Sequence, residues 1–153
     1  MLLTKSIAFS IFKLRNNNNE VTMINNTNLY NLSNYDEQFD KFLKDVESCK
    51  ELCFTFVLLT KNDEEYEAFE KVHSENWVKP VILMNNEMFS KSMNPDVKHL
   101  YNAGMEGLYY FLTIPPKDDN DRLIILEYIE RMQPIMKNYK ISLENFKKTL
   151  DNN

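Results

Sequence analysis

Glycine is nearly missing from this chain, with only Gly104 and Gly107 among 153 residues. Loops that cradle phosphates, and dinucleotide fingerprints, need several glycines at fixed offsets so that backbone amides can close on the ligand. Two glycines cannot supply them, which excludes the usual nucleotide-dependent α/β enzymes. Cysteine is equally scarce: Cys49 and Cys53 are too few for a zinc site and read as reduced, small apolar residues. A basic stripe is lacking too. Lysine and arginine total 18 against 23 acids, for a net charge of -5, which argues against nucleic acid as a partner. No apolar run is long enough to span a bilayer, so no membrane partner is expected. The opening residues 1–15 (MLLTKSIAFSIFKLR) lack a small-residue cleavage site and read as a strand rather than a signal peptide. The expected location is cytoplasmic.

What the chain does have is a set of short apolar runs separated by amphipathic stretches. The most apolar is residues 52–60 (LCFTFVLLT), rich in aromatic and β-branched side chains and bounded by charge on both sides. A run that short and apolar on both faces predicts a strand buried in a parallel sheet. Ahead of it, residues 35–50 form the clearest amphipathic helix, with Phe39, Phe42, Leu43 and Val46 at helical spacing and Ser33 and Asn34 as cap candidates. Residues 63–74 predict a second helix capped by Asn62 or Asp63. Residues 79–86 (KPVILMNN) and 107–114 (GLYYFLTI) predict further strands, with a helical region at 87–103 between them. Residues 121–132 predict a closing helix, which Pro134 separates from a last segment, 138–150.

At the N-terminus, residues 6–14 predict strand one, and 20–32 is ambiguous between a strand and a short helix. Alternation of strand and helix with short connections predicts a three-layer α/β/α sandwich with a mostly parallel central sheet. The whole chain, 1–153, reads as one α/β domain with its core at about 6–132 and a C-terminal helical extension at 133–153.

Residues 29–132 resemble a response-regulator receiver domain of the flavodoxin-like fold. Pro80-Val81-Ile82-Leu83-Met84-Asn85 is similar to that family's fourth strand, and Gly107 through Pro115 to its fifth. The resemblance implies a phosphoacceptor region that is degenerate here. Thr60 stands at the aspartate position, Asn85 at the Thr/Ser switch and Ile114 at the lysine, and the first strand ends in Lys13-Leu14 rather than in acids. Without converging carboxylates a magnesium site is not expected, and phosphoryl transfer loses its main charge stabilisation. STAS domains offer a competing resemblance, because residues 6–14 and 20–24 would supply that family's opening hairpin. Its phosphorylatable serine turn is missing from Asn62-Asp63-Glu64-Glu65.

Other candidates favour bland roles. Asp63, Glu64 and Glu65 suit a helix start. His73 and His99 lack a nucleophile partner in sequence and predict surface roles. Asp118, Asp119 and Asp121 lack the glycine and terminal glutamate of a calcium loop. Tyr101, Tyr109 and Tyr110, with Met105, are partner-binding candidates, since the resemblance places them on the face where receivers dock partners and such residues anchor interfaces. Met84, Met88 and Met93 lie in the same stretch.

The expectation is therefore a non-enzymatic regulatory or scaffolding domain, a pseudo-receiver, with a protein partner or a second copy of itself. No catalytic residue, metal or cofactor is expected. The alternatives are a STAS-like regulatory module or a small α/β enzyme whose site would need Asp63, Asn85 and a histidine to converge.

Overall fold

A computed structural model describes residues 31–152, and every regular element among them is helical. After a short 3₁₀ turn at Leu32–Asn34 come α1 (Tyr35–Leu59), α2 (Asp63–His73), a π-helical turn (Ser74–Val78), α3 (Lys79–Lys91), α4 (Pro95–Lys98), α5 (Met105–Phe111) and α6 (Asp119–Asp151).

The expected α/β sandwich is thus overturned, and the receiver and STAS resemblances fall with it, because both need a sheet and no strand occurs among the described residues. Residues 52–59 are the last turns of α1, and Thr60 is its C-cap. The reason is visible in register. Tyr35, Phe39, Phe42, Val46, Cys49, Cys53, Phe56 and Thr60 alternate by four and three, and all eight are buried or half-buried, which is the seam of a packed helix. Residues 79–86 belong to α3, where Val81, Met84, Asn85, Met88 and Phe89 face inward at helical spacing. Residues 107–114 form most of α5 and the turn after it, with Gly107, Leu108 and Phe111 inward. The predicted strand at 6–14 and the hairpin with 20–24 lie outside the described residues.

Helix starts follow local chemistry. The Asn62 side chain accepts from the Glu65 amide at 2.8 Å, while the Glu65 carboxylate accepts from the Lys61 amide at 2.8 Å, a reciprocal cap. Asp63, Glu64 and Glu65 sit in the first turn of α2, where the helix dipole favours them. Asp118 caps α6 through the Asp121 amide at 3.0 Å.

Between α2 and α3 the chain does not turn. Inward-facing Phe69, His73, Trp77 and Val81 recur every four residues, slower than the 3.6 of an α-helix. The wide turn absorbs that difference, with the Lys79 amide donating to the carbonyl of Ser74, five residues back. It also lies directly ahead of Pro80, which has no amide to donate and whose ring would crowd the carbonyl four residues earlier.

Ring contacts fix the directions. Phe42 meets Tyr128 and Phe56 meets Phe146, so α1 and α6 run parallel. Phe69 meets Phe146 and Phe89 meets Tyr128, so the α2–α3 rod runs antiparallel to α6. The result is three long rods around one core, with the 92–118 connector folded against them through α4 and α5. Pro134 does not end α6. It sits on the exposed side, and Met136, Tyr139, Leu143, Phe146 and Leu150 beyond it are buried, so residues past 132 build core rather than an extension.

Candidate functional site

A cleft of about 400 Å³ opens where α1, the π-helical turn and α5 meet. α1 contributes Cys49, Cys53 and Val57 from consecutive turns, with Lys50 and Phe54 at the rim. The rod contributes His73 and Trp77, the latter carried by the wide turn and stacked on Tyr139 at 5.2 Å between ring centroids. α5 contributes Met105 and Tyr109. The walls are predominantly apolar and aromatic, the usual character of ligand pockets of this size.

At the edge of the cleft lies a cluster of chemically capable groups. His73 Nδ1 is 2.7 Å from the Tyr139 hydroxyl and 3.9 Å from Cys53 Sγ. Burial pushes the Tyr139 phenol well above its ordinary range and lowers the His73 pKa, with Glu70 partly opposing the latter. Tyr139 therefore keeps its proton and is hydrogen-bonded to a neutral imidazole, as donor or acceptor according to the ring tautomer. In either tautomer Nδ1 is engaged by Tyr139, accepting from the hydroxyl or carrying the proton it donates to it, so it cannot also take the Cys53 proton at 3.9 Å, and the cysteine–histidine pair does not make an activated nucleophile. Cys49 is buried, and that burial pushes its thiol pKa up. Across the cleft, burial likewise raises the pKa of Tyr109, whose ring lies under the Lys50 ammonium at 5.3 Å.

The half-buried neutral imidazole makes stability depend on pH. A histidine whose folded pKa is depressed contributes stability that is full above the unfolded value of about 6.5 and is lost as pH falls toward the lower folded value. Urea unfolding is expected to show a decline between pH 7.5 and 5.5 that His73→Gln reduces, since glutamine can accept from Tyr139 without titrating. The chain has two histidines and the other, His99, is exposed. An unchanged decline in the variant would remove His73 from this role.

The positions Thr60, Asn85 and Ile114 are not assembled into a site. Thr60 caps the C-terminus of α1 near Phe56 and hence Phe146, whereas Asn85 bonds to Tyr128. Those α6 residues are 18 apart, about 27 Å along a helix. Asp63 lies at the Thr60 end, so it does not meet Asn85 either. Ile114 is half-buried in the turn after α5. Asn85 is structural: its oxygen accepts from Tyr128 at 2.6 Å and its amide donates to the Gly104 carbonyl at 3.3 Å.

Of the partner-binding candidates, Met105 and Tyr109 line the cleft. Tyr101 and Tyr110 stand outside it, 49% and 54% exposed, with Tyr110 edge-on to His99. Asp118 and Asp121 serve the α6 cap, and Asp121 accepts from Asn94 at 2.6 Å. No three histidine, cysteine or acidic side chains among the described residues are placed to hold a metal ion.

Sequence reasoning did not single out Lys50, Phe54, Leu58, Trp77 or Tyr139. The four-residue spacing of Phe69, His73 and Trp77 was the available signal. A second hollow, about 380 Å³ between α1 and α6, is more polar, and its Lys41 and Asp45 neutralise each other at 3.0 Å. No helix among the described residues is long and apolar enough to cross a membrane. No protein-family model, curated protein or solved structure matches the chain.

Proposed function

We propose that this chain is a non-enzymatic helical interaction domain that binds a protein partner through the outer face of α1 and the adjoining surface of α5. The observation that carries the reading is the exposure of Phe54 and Leu58, 72% and 81%, one turn apart on α1. Phe54 adjoins the cleft, and Tyr109 on its opposite wall is 37% exposed, so aliphatic and aromatic surface continues from one helix to the next. Large apolar side chains held together in water are the mark of an interface. The engagement of His73 Nδ1 by the Tyr139 hydroxyl weighs against the enzyme alternative. Free thiols at Cys49 and Cys53 support the cytoplasmic placement.

Selection of displayed peptides on the immobilised protein is expected to enrich sequences with apolar anchors, bound at least about tenfold more weakly by Phe54→Asp or Leu58→Asp. Both positions are exposed, so neither change should disturb the fold. Binders indifferent to both substitutions, or none at all, would overturn the reading. Sedimentation of the protein alone distinguishes a second copy as the partner, because self-association would then be lost in the same two variants.

A further inference from the structure

We propose that the cleft between α1, the π-helical turn and α5 binds a small amphipathic anion, an organic carboxylate or sulfonate with an apolar body, held by its charge at Lys50. Size, lining and charge each support this. The volume, about 400 Å³, lies within the roughly 300–1,000 Å³ of small-molecule sites. Trp77, Val57, Met105 and Tyr109 supply apolar and aromatic walls. Among the residues lining the cleft, Lys50 is the sole permanent charge, since burial keeps His73 neutral.

The Lys50 ammonium is held at the rim over the Tyr109 ring, and its contact with Glu47 is long, 3.8 Å, and half-exposed. An anion arriving there replaces a weak partner with a closer one and leaves its apolar body against Trp77. A neutral body would gain only the apolar contacts. A cation would meet Lys50. The cleft shares Phe54 and Tyr109 with the proposed protein-docking face, whereas Leu58 stands outside it.

The chain's one tryptophan is Trp77, so its fluorescence reports dye bound to the protein, and the Lys50 and Val78 variants assign that dye to this cleft. The probe is 8-anilinonaphthalene-1-sulfonate, with decanoate as competitor and decanol as the neutral control. Energy transfer from Trp77 to the bound dye is expected to saturate at one site and to be reversed by decanoate. Lys50→Met is expected to weaken dye and decanoate by about tenfold, the loss of one charge-assisted contact, while leaving decanol unchanged. Unchanged decanol affinity also shows that the variant cleft is intact. Val78, on the wide turn, also lines the cleft, and Val78→Phe, which fills it, should abolish the transfer, with thermal unfolding confirming the fold. Absence of transfer in the wild type, or transfer that decanoate and Lys50→Met leave undiminished, overturns the proposal. Neither result bears on the protein-binding reading, which is tested by Leu58→Asp outside the cleft.

Discussion

Replacing Phe69 with alanine is expected to destabilise the protein by about 3–5 kcal/mol, the range for removing a large aromatic from a packed core. Phe69 is 2% exposed and sits where all three long rods meet. Its ring stacks on Phe56 of α1 at 6.4 Å and 8°, contacts Phe146 of α6 at 6.2 Å, and lies 5.7 Å from His73 one turn on. Truncation removes these contacts at once, and the surrounding helices cannot close the space without moving relative to one another. Phe54→Ala provides the control, because the same side chain is lost from an exposed site and the cost should stay within about 0.5 kcal/mol. Urea unfolding of the two variants decides the matter. Equal losses would mean that α1 presents a different face to the core.

On α1, buried Phe56 beside exposed Phe54 also explains how far the fold was legible. The start of α1 could be read because polar residues such as Asp36, Glu37 and Asp40 separate the inward Tyr35, Phe39 and Phe42, so the helical period stands out. Beyond Lys50 the outer face carries Phe54 and Leu58, the contrast between faces vanishes, and a helix end takes on the composition of a buried strand. Leu83, exposed on α3, does the same for residues 79–86, and Tyr109 with Tyr110 for residues 107–114. Exposed apolar residues are the ones that hide the period, and two of the three misread stretches, 52–60 and 107–114, also contribute to the cleft. The a–d register running from Tyr35 to Thr60 was nonetheless present, and continuing it past Lys50 would have joined the predicted helix to the predicted strand.

The site was harder to read for a different reason. His73 and Tyr139 are 66 positions apart, and their meeting depends on the antiparallel path of the α2–α3 rod along α6. No local pattern encodes that. The N-caps, by contrast, were readable at Asn62 because they are decided within four residues.

Tyr128→Ala is expected to be as costly as the loss of Phe69, about 3–5 kcal/mol, and its smaller relatives should separate packing from hydrogen bonding. The Tyr128 side chain is fully buried, with its ring 4.5 Å from Phe111, stacked on Phe89 at 5.8 Å and edge-on to Phe42 at 6.1 Å. It joins α1, α3, α5 and α6, so truncation opens space that no single helix can fill. The hydroxyl matters separately. Burial pushes the phenol pKa far up, so the group is a permanent donor, and its acceptor, Asn85, is itself buried. Tyr128→Phe keeps the ring and leaves the Asn85 oxygen without that donor, at an expected cost of about 1–3 kcal/mol. Asn85→Leu strands the hydroxyl instead and also removes the donor to the Gly104 carbonyl that secures the start of α5. Made together, the two changes should cost less than their sum, because the second no longer abandons a buried partner. A Tyr128→Phe variant as stable as the wild type, or strict additivity in the double variant, would show that the pair does not hold α3 to α6.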